Sequence, residues 1–398
     1  MPRIASLADL TVADLCHEVN SPEEVGELIE GQLLPAFQGI LEEMLLGELV
    51  DQLHASLYQR NPDRQDYRNG FYTRSLQTRL GLIPHLRVPR TRSGVYQSAI
   101  LPAYRRYEGA VEDLIRDAFL AGVSTRRVGE VLHPILGTTV SAQTVSRIAQ
   151  SLDTAVQAFH RQPLVDDVRY LFLDGIVLKV KGVGEVHRRV ILVAYAVRPT
   201  GERAVIAFRL ASTESEAQWT VFLNDLYGRG LVGSKLRLVI TDGSPGLHAA
   251  LLMVYPDAPR QRCWAHKMRN VAEKLRQKDQ EACLQELKTV YAADTEAEAR
   301  RRYRAWAEHW REAAPAAVAC VAKDIDELVT FLKEPEALWR KLRTTNAIER
   351  IFREVRRRTR PMTCFTNAAS CERIIYAVLN HQNDKWKEHP LTQCTQTS

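Results

Sequence analysis

Leu171-Phe172-Leu173-Asp174-Gly175 and Val239-Ile240-Thr241-Asp242-Gly243 decide how this chain is read. Each is a short apolar run of β-forming residues that delivers an aspartate to a strand end, followed by glycine. A third stretch, Thr345-Asn346-Ala347-Ile348-Glu349-Arg350, opens a helix and sets a glutamate one turn in. Three carboxylates at element ends form the oxygen donor set that a divalent cation such as Mg²⁺ prefers. If they converge, the site can hold two such ions and cut or join phosphodiesters. Each acid also has a bland explanation. Asp-Gly after a strand is commonly just a turn. Asn346-x-x-Glu349 approximates a capping box, and Glu349 can pair with Arg353 one turn on. What separates the three from those readings is their order within one supersecondary pattern.

That pattern starts at Arg169. The segments Arg169 to Val180, His187 to Val197 and Arg203 to Leu210 are rich in Val, Ile, Leu, Tyr and Phe. Turn signals at Lys181-Gly182-Val183-Gly184 and Arg198-Pro199-Thr200-Gly201 divide them, so three antiparallel strands are expected. Thr213-x-x-Glu216 then caps a helix whose Trp219, Phe222, Leu223 and Leu226 form one face. Leu236 to Ile240 reads as a buried strand, followed by a short helix through Leu247, Leu251 and Leu252 and a strand near Arg260 to Trp264. The expectation is an α/β fold with an RNase H-like catalytic core, a mixed five-stranded sheet with helices, whose strand ends present the acids in a crevice. More than a hundred residues separate Asp242 from Glu349. Val271 to Tyr291, Glu296 to Trp310 and Ala316 to Leu332 are rich in Ala, Glu, Arg and Leu, with Pro315 and Pro335 as breaks. An all-helical insertion interrupting the core accounts for that length better than a loop does.

The helix carrying Glu349 has two distinct faces. Ile348, Ile351, Phe352 and Val355 recur at helical spacing and should meet the sheet. Glu349, Arg353, Arg356 and Arg360 share a neighbouring face, and Arg350, Arg357 and Arg358 extend the basic run. A solvated charged face is the ordinary reading of such a run. Few acids interrupt this one, and guanidinium groups are the preferred planar partners of phosphate oxygens. The candidate DNA-backbone contacts are therefore Arg350, Arg353, Arg356, Arg357 and Arg360.

These residues carry a family resemblance. Asp174 in LFLDGI, Asp242 in VITDG, Cys263-Trp264-Ala265-His266 and RTTNAIERIFREVRRRTR resemble signatures of the bacterial mutator-type insertion-sequence transposases. Tyr67-Arg68-Asn69-Gly70-Phe71-Tyr72 and Val88-Pro89-Arg90-Thr91-Arg92-Ser93-Gly94 are similar to upstream segments of that family, and the likeness runs roughly from Glu24 to Lys387. The resemblance implies a DDE transposase in which Asp174, Asp242 and Glu349 are catalytic and bind Mg²⁺, with Mn²⁺ able to substitute. It also makes Cys263, His266 and Asn346 signature positions. A Cys-x-x-His pair is half of a zinc site, and no second pair lies at finger-like spacing. Two readings of it stand. His266 works beside the metals on a phosphate or leaving oxygen, as a proton carrier near neutral pH. Alternatively, both side chains anchor the insertion against the sheet.

Upstream, Ser21-Pro22-Glu23-Glu24 should open a helix that resumes through Leu41, Met44, Leu45 and Leu49. Phe71 to Ala103 reads as short strands punctuated by Gly81, Pro84, Pro89 and Gly94, either touching DNA or serving as a linker sheet. A helix over Val111 to Leu120 ends at Ala121-Gly122. Ser124 caps a second with Val128 and Val131 inward, and Ser141 caps a third with Val145 and Ile148 inward after the turn Gly137-Thr138-Thr139-Val140. This is a helix-turn-helix layout, and Gln143, Thr144 and Arg147 on the third helix are candidates to read base edges. The expected segments are 1–66 helical, 67–105 β, 106–163 helix-turn-helix, 164–266 first part of the core, 267–338 insertion, 339–390 C-terminal core helices, and a flexible 391–398 tail.

Composition agrees. The 398 residues leave room for two or three domains, and a net charge of +6 favours polyanionic partners. Seven dispersed cysteines suit a reducing cytoplasm, and neither a signal peptide nor a spanning apolar run appears. The expected partners are double-stranded DNA, as terminal inverted repeats and target, and a second copy of the chain in a homodimer. No membrane is expected. The alternatives are a catalytically silent DNA-binding regulator and a plain RNase H-like nuclease.

Overall fold

The computed structural model describes residues 21, 24, 29–94, 96–101, 106–120, 123–182, 184–360, 362, 364–387 and 391. Most of the Ser21–Glu24 cap, the Ala121-Gly122 helix end and the tail beyond Leu391 lie outside the described residues. The chain divides into two compact units, Met1–Ala149 and Gln150–Ser398.

In the first unit, α1 (Leu34–Leu53) lies on a hairpin of β1 (Arg68–Thr78) and β2 (Gly81–Thr91). Leu45 joins Leu76, Ile83, Leu86, Val88 and Leu101 in one small core. Met44 is exposed, contrary to the expected apolar stripe. The expected short strands are instead two strands of eleven residues each. Pro84 and Pro89 interrupt neither, because each strand of a two-stranded ribbon has an open edge where a missing N–H breaks no ladder bond. Three helices follow: α2 (Gly109–Leu120), α3 (Thr125–Leu136) and α4 (Ala142–Gln150). Ser124 Oγ accepts from the Arg127 N–H and Ser141 Oγ from the Thr144 N–H, so both expected caps form. Val128 is buried as expected, but Val131 is exposed and Leu132 takes the inward position.

The second unit holds α5 (Leu152–Arg161) and a five-stranded mixed sheet: β3 (Tyr170–Lys181), β4 (Val186–Val197), β5 (Arg203–Ala211), β6 (Leu238–Thr241) and β7 (Arg260–Arg262). The spatial order is β5-β4-β3-β6-β7, with β3, β4 and β5 antiparallel and β6 and β7 parallel to β3. The βββ-α-β-α-β order read from sequence is present. One face, with Leu171, Leu173, Leu192 and Ala194, packs under α6 (Glu216–Gly228) and α7 (Pro245–Val254) through Trp219, Phe222, Leu223 and Leu247. Helix α6 starts from Ser215 without a side-chain cap, so the Thr213/Glu216 box does not form.

From β7 the chain enters helices α8 (Trp264–Ala272), α9 (Gln277–Tyr291), α10 (Glu296–Trp310), α11 (Pro315–Ala322), α12 (Ile325–Leu328), a 3₁₀ turn (Thr330–Lys333) and α13 (Glu336–Leu342). The stretch is helical throughout, but two expected helices are divided. Val271–Tyr291 breaks between Ala272 and Gln277, and Ala316–Leu332 becomes three short pieces. Pro315 and Pro335 begin helices, the places where a missing N–H is harmless. The other sheet face is met by α14 (Asn346–Thr359) and α15 (Ala368–Lys387). The Asn383 amide of α15 clamps strand β5 by donating to Val205 O and accepting from Val205 N, at 2.9 and 2.8 Å.

Candidate active site

The parallel pairing of β3 with β6 runs from Tyr170↔Leu238 to Leu173↔Thr241. Asp174 and Asp242 are therefore the next residue on each of two strands about 4.8 Å apart. Asp242 ends its strand as expected. Asp174 does not: β3 continues to Lys181, with Asp174 opposite Val193 of β4. The antiparallel partner carries the strand through Asp-Gly, overriding its turn preference. Gly243, by contrast, is a true turn at φ +83°, and a Cβ there would lie 2.3 Å from the Arg262 guanidinium. That guanidinium is fixed by an ion pair to Asp324 at 2.9 Å, and Asp324 also binds buried Lys267. Asp242 Oδ1 accepts the Ser244 N–H at 2.9 Å, which holds the carboxylate at the head of α7.

Asp174 is buried, and burial together with the Asp242 carboxylate beside it pushes its carboxyl up to about 7. The sequence reading missed a further acid, Glu214. It sits in the turn before α6 with its Oε1 buried and without a hydrogen-bond partner. Burial and then Asp242 raise it to about 7 as well. A Cβ on Gly175 would come within 3.0 Å of that oxygen, so glycine after Asp174 leaves room for the second carboxyl. Nothing local in the sequence points to Glu214, which lies outside the helical repeat and meets Asp242 only through the fold.

Glu349 lies in the first turn of α14, whose N-cap is Thr345 and not Asn346. Asn346 is exposed at the first helical position and makes no cap, so the Asn346-x-x-Glu349 box is absent. Glu349 pairs with neither Arg353 nor the aspartates. Its Oε1 accepts from Arg269 Nη2 at 3.0 Å and lies 3.9 Å from His266 Nε2. Among the described residues, no three His, Cys, Asp or Glu side chains stand together closely enough to hold a metal ion.

Cys263 and His266 join the two ends of this arrangement. Cys263 is fully buried at the start of α8, and its Sγ accepts from Thr345 N and Oγ1 at 3.2 and 3.4 Å. Burial alone would raise the thiol, but hydrogen bonds with His266 and Thr345 bring it below its usual value. The His266 imidazole is raised, first by the Cys263 hydrogen bond and against burial, with the Asp174 and Asp242 charges adding. The two readings of this pair thus occupy one place: Cys263 clasps α14, and His266 lies within the field of all three acids.

Of the arginines, Arg350, Arg353, Arg356, Arg357 and Arg360 are exposed on α14, with Arg357 paired to Glu354 at 2.9 Å. Arg358 is buried and its guanidinium is depressed to about 10 by burial, so it is no part of the exposed row. On α4, Gln143 and Arg147 are exposed, while the Thr144 hydroxyl lies 3.0 Å from that of Ser141. No described helix is long and apolar enough to cross a membrane.

The family model "Transposase, Mutator family" matches residues 14–389, and the chain belongs to that family. It is similar to the transposase for insertion sequence element ISRM5 of Rhizobium meliloti (strain 1021), 35% identical over 349 residues that cover 88% of this chain and 87% of that one. It is 36% identical over 337 residues to the transposase for IS406 of Burkholderia multivorans, covering 84% and 86%. The transposase for IS256 in transposon Tn4001 of Staphylococcus aureus is 29% identical over 350 residues, covering 87% and 89%.

Proposed function

We propose that this protein is a Mg²⁺-dependent DDE transposase with an RNase H-like core, which binds the terminal inverted repeats of its own insertion sequence and performs strand cleavage and strand transfer. The observation that carries the reading is the β3–β6 pairing, which brings two carboxylates together where their charges repel. The donor chemistry suits a hard divalent ion, with Glu349 still to be brought to the aspartates. Asp174 and Asp242 supply paired oxygens and Glu214 keeps a buried oxygen unpartnered, with His266 partly offsetting their charge. Glu349 would join the aspartates on leaving Arg269. Bound there, Mg²⁺ or Mn²⁺ would supply activation of water or a 3′-hydroxyl and stabilisation of the leaving oxygen.

The chain's own residues account for the rest. Asp174 and Asp242 fix the cleavage point by their rung on the sheet. His266, whose Nε2 lies 3.9 Å from Glu349 Oε1, is placed to pass a proton to a phosphate or leaving oxygen. Arg350, Arg353, Arg356, Arg357 and Arg360 hold the backbone of the strand. Gln143 and Arg147, with Thr144 beside them, read base edges from the helix-turn-helix of the first unit. The protein acts on double-stranded DNA in the cytoplasm, at the nucleoid, as a homodimer that holds both ends of the element. A silent regulator is disfavoured by the retained acids, and a plain nuclease by the basic helix.

The test is incubation with the element's ends in Mg²⁺ and mapping of nicks and joined products. Asp174→Ala, Asp242→Ala and Glu349→Gln should each abolish cleavage and keep end binding. Near-normal cleavage by any of them would remove that residue from the site. Arg147→Ala should weaken binding to the end more than to random DNA, whereas Arg356→Ala should weaken both and flatten the salt dependence.

A further inference from the structure

We propose that the cavity between α14 and β3 receives one unpaired nucleotide of the DNA strand held at the carboxylates, its base stacked on aromatic walls and its phosphate on the arginine rim. This rests on the DNA-cleaving reading above. The cavity measures about 840 Å³ and lies wholly within the second unit. Protein interiors leave few voids larger than a water molecule, and an open recess of this size is in the range of ligand sites.

Its walls suit a flat heterocycle. On one side the partly exposed Trp386 ring rests on Tyr195, which is itself buried against Phe172, with centroids 5.2 and 5.3 Å apart. On the other, the partly exposed Tyr291 ring rests on buried Trp264 at 5.1 Å. Each side already carries a guanidinium over a ring, Arg203 over Trp386 at 5.3 Å and Arg343 over Tyr291 at 4.6 Å. Rings and guanidinium planes are the surfaces on which bases stack in single-strand sites. The amides of Asn346 and Gln382 reach the lining and offer donors and acceptors for a base edge.

Charge and position select the occupant. Six lining side chains are basic and one, Glu354, is acidic, which disfavours a cation or a purely apolar ligand. Phe172 and Asp174 project from the same face of β3, two residues apart and so about 7 Å along the strand. Arg350 and Arg353, on the rim, belong to the helix that carries Glu349. A nucleotide lodged here is thus one short reach from a phosphate at the aspartates. A stacked, paired base cannot enter a recess of this kind; an extrahelical one can.

The full-length protein, in EDTA so that no strand is cut, is titrated into two short duplexes. One is fully paired; the other carries a single bulged 2-aminopurine. The bulged duplex should bind roughly tenfold tighter, with its fluorescence quenched by stacking. Trp386→Ala and Arg343→Gln should each erase that preference while leaving paired-duplex binding unchanged, and Trp386→Phe should retain it. Equal binding of both duplexes by the wild-type protein overturns the proposal. So does a preference that survives both Trp386→Ala and Arg343→Gln. Free dTMP competing as well as the bulged strand would make the cavity a mononucleotide site and also overturn it. Failure to bind either duplex would strike down the DNA-processing reading itself, a result distinct from binding both equally.

Discussion

Arg269 is the ion-pair partner of Glu349: its Nη2 donates to Glu349 Oε1 at 3.0 Å, across 80 residues of sequence. The guanidinium is more than half exposed, so the pair contributes at most about 1 kcal/mol to stability. Its importance is positional. Arg269→Ala should lower the Mn²⁺ concentration that half-saturates the site, read by electron paramagnetic resonance of free Mn²⁺, about two- to fivefold on removal of one nearby positive charge. The melting temperature should change little. Weaker Mn²⁺ binding in this variant would mean that Arg269 organises the carboxylate instead of withholding it.

The raised carboxyl of Asp174 makes stability depend on pH in a set direction. Unfolded, the group titrates at its ordinary value of 3.8, and folded at about 7, so the native state binds the extra proton between these values. Stability from this group is full below pH 4 and is lost as pH rises through 7. Without divalent ions, Asp174→Asn should therefore melt higher than wild type at pH 8, by several degrees at about 2–4 °C per kcal/mol. The gap should shrink at pH 5.5. A gap that widens towards acid would contradict the burial argument.

Glu214 should matter to the cation. Glu214→Gln keeps the shape beside Gly175 but removes a charge that Asp242 opposes. In EDTA the variant should be as stable as wild type or more so at pH 8. In Mn²⁺ its gain in melting temperature should be smaller than the wild-type gain. An identical gain would exclude Glu214 from the site.

The Cys263 clasp should be structural. Cys263→Ala removes the acceptor of the buried Thr345 N–H and leaves a small void, a loss of about 1–3 kcal/mol. Urea unfolding would measure it. His266→Ala, at a half-buried side chain bonded to Cys263 and, at 3.4 Å, to Thr345, should destabilise less while reducing cleavage more. Equal losses of stability in the two variants would make His266 a second anchor.

Much of the architecture is legible in the sequence because burial imposes periodicity. Leu171, Leu173, Leu192 and Ala194 mark strands, and Ile348, Ile351, Phe352 and Val355 mark a helix against the sheet. What escapes is set by partners far along the chain. Asp174 reads as a strand end because Asp-Gly favours turns, yet β4 pairs straight through it. Arg353 is the obvious mate of Glu349 by helical spacing, but Arg269 is the actual one. Arg358 looks like one more exposed cation in a basic run, and the helix rotation turns it inward. Glu214 has no local signal, since its carboxyl matters only through residues that the fold brings to it.

The chain leaves the sheet at Cys263 and returns at Thr345, where the Trp264 N–H donates to Arg343 O at 2.9 Å beside the thiol contacts. Departure and re-entry thus touch at one buried knot. Those few atoms tie the start of the Glu349 helix to the strand end beside Asp242, and the Arg262–Asp324 pair and the Trp264 Nε1–Leu328 O bond bind the helices between them to the same place. Loop closure is satisfied at the knot, so α9 and α10 could lengthen at little entropic cost, provided Asp324 and Leu328 kept their bonds to Arg262 and Trp264. The outer helices of the excursion are in this sense a handle, free to take on other work, while its inner end remains part of the grip on the acids.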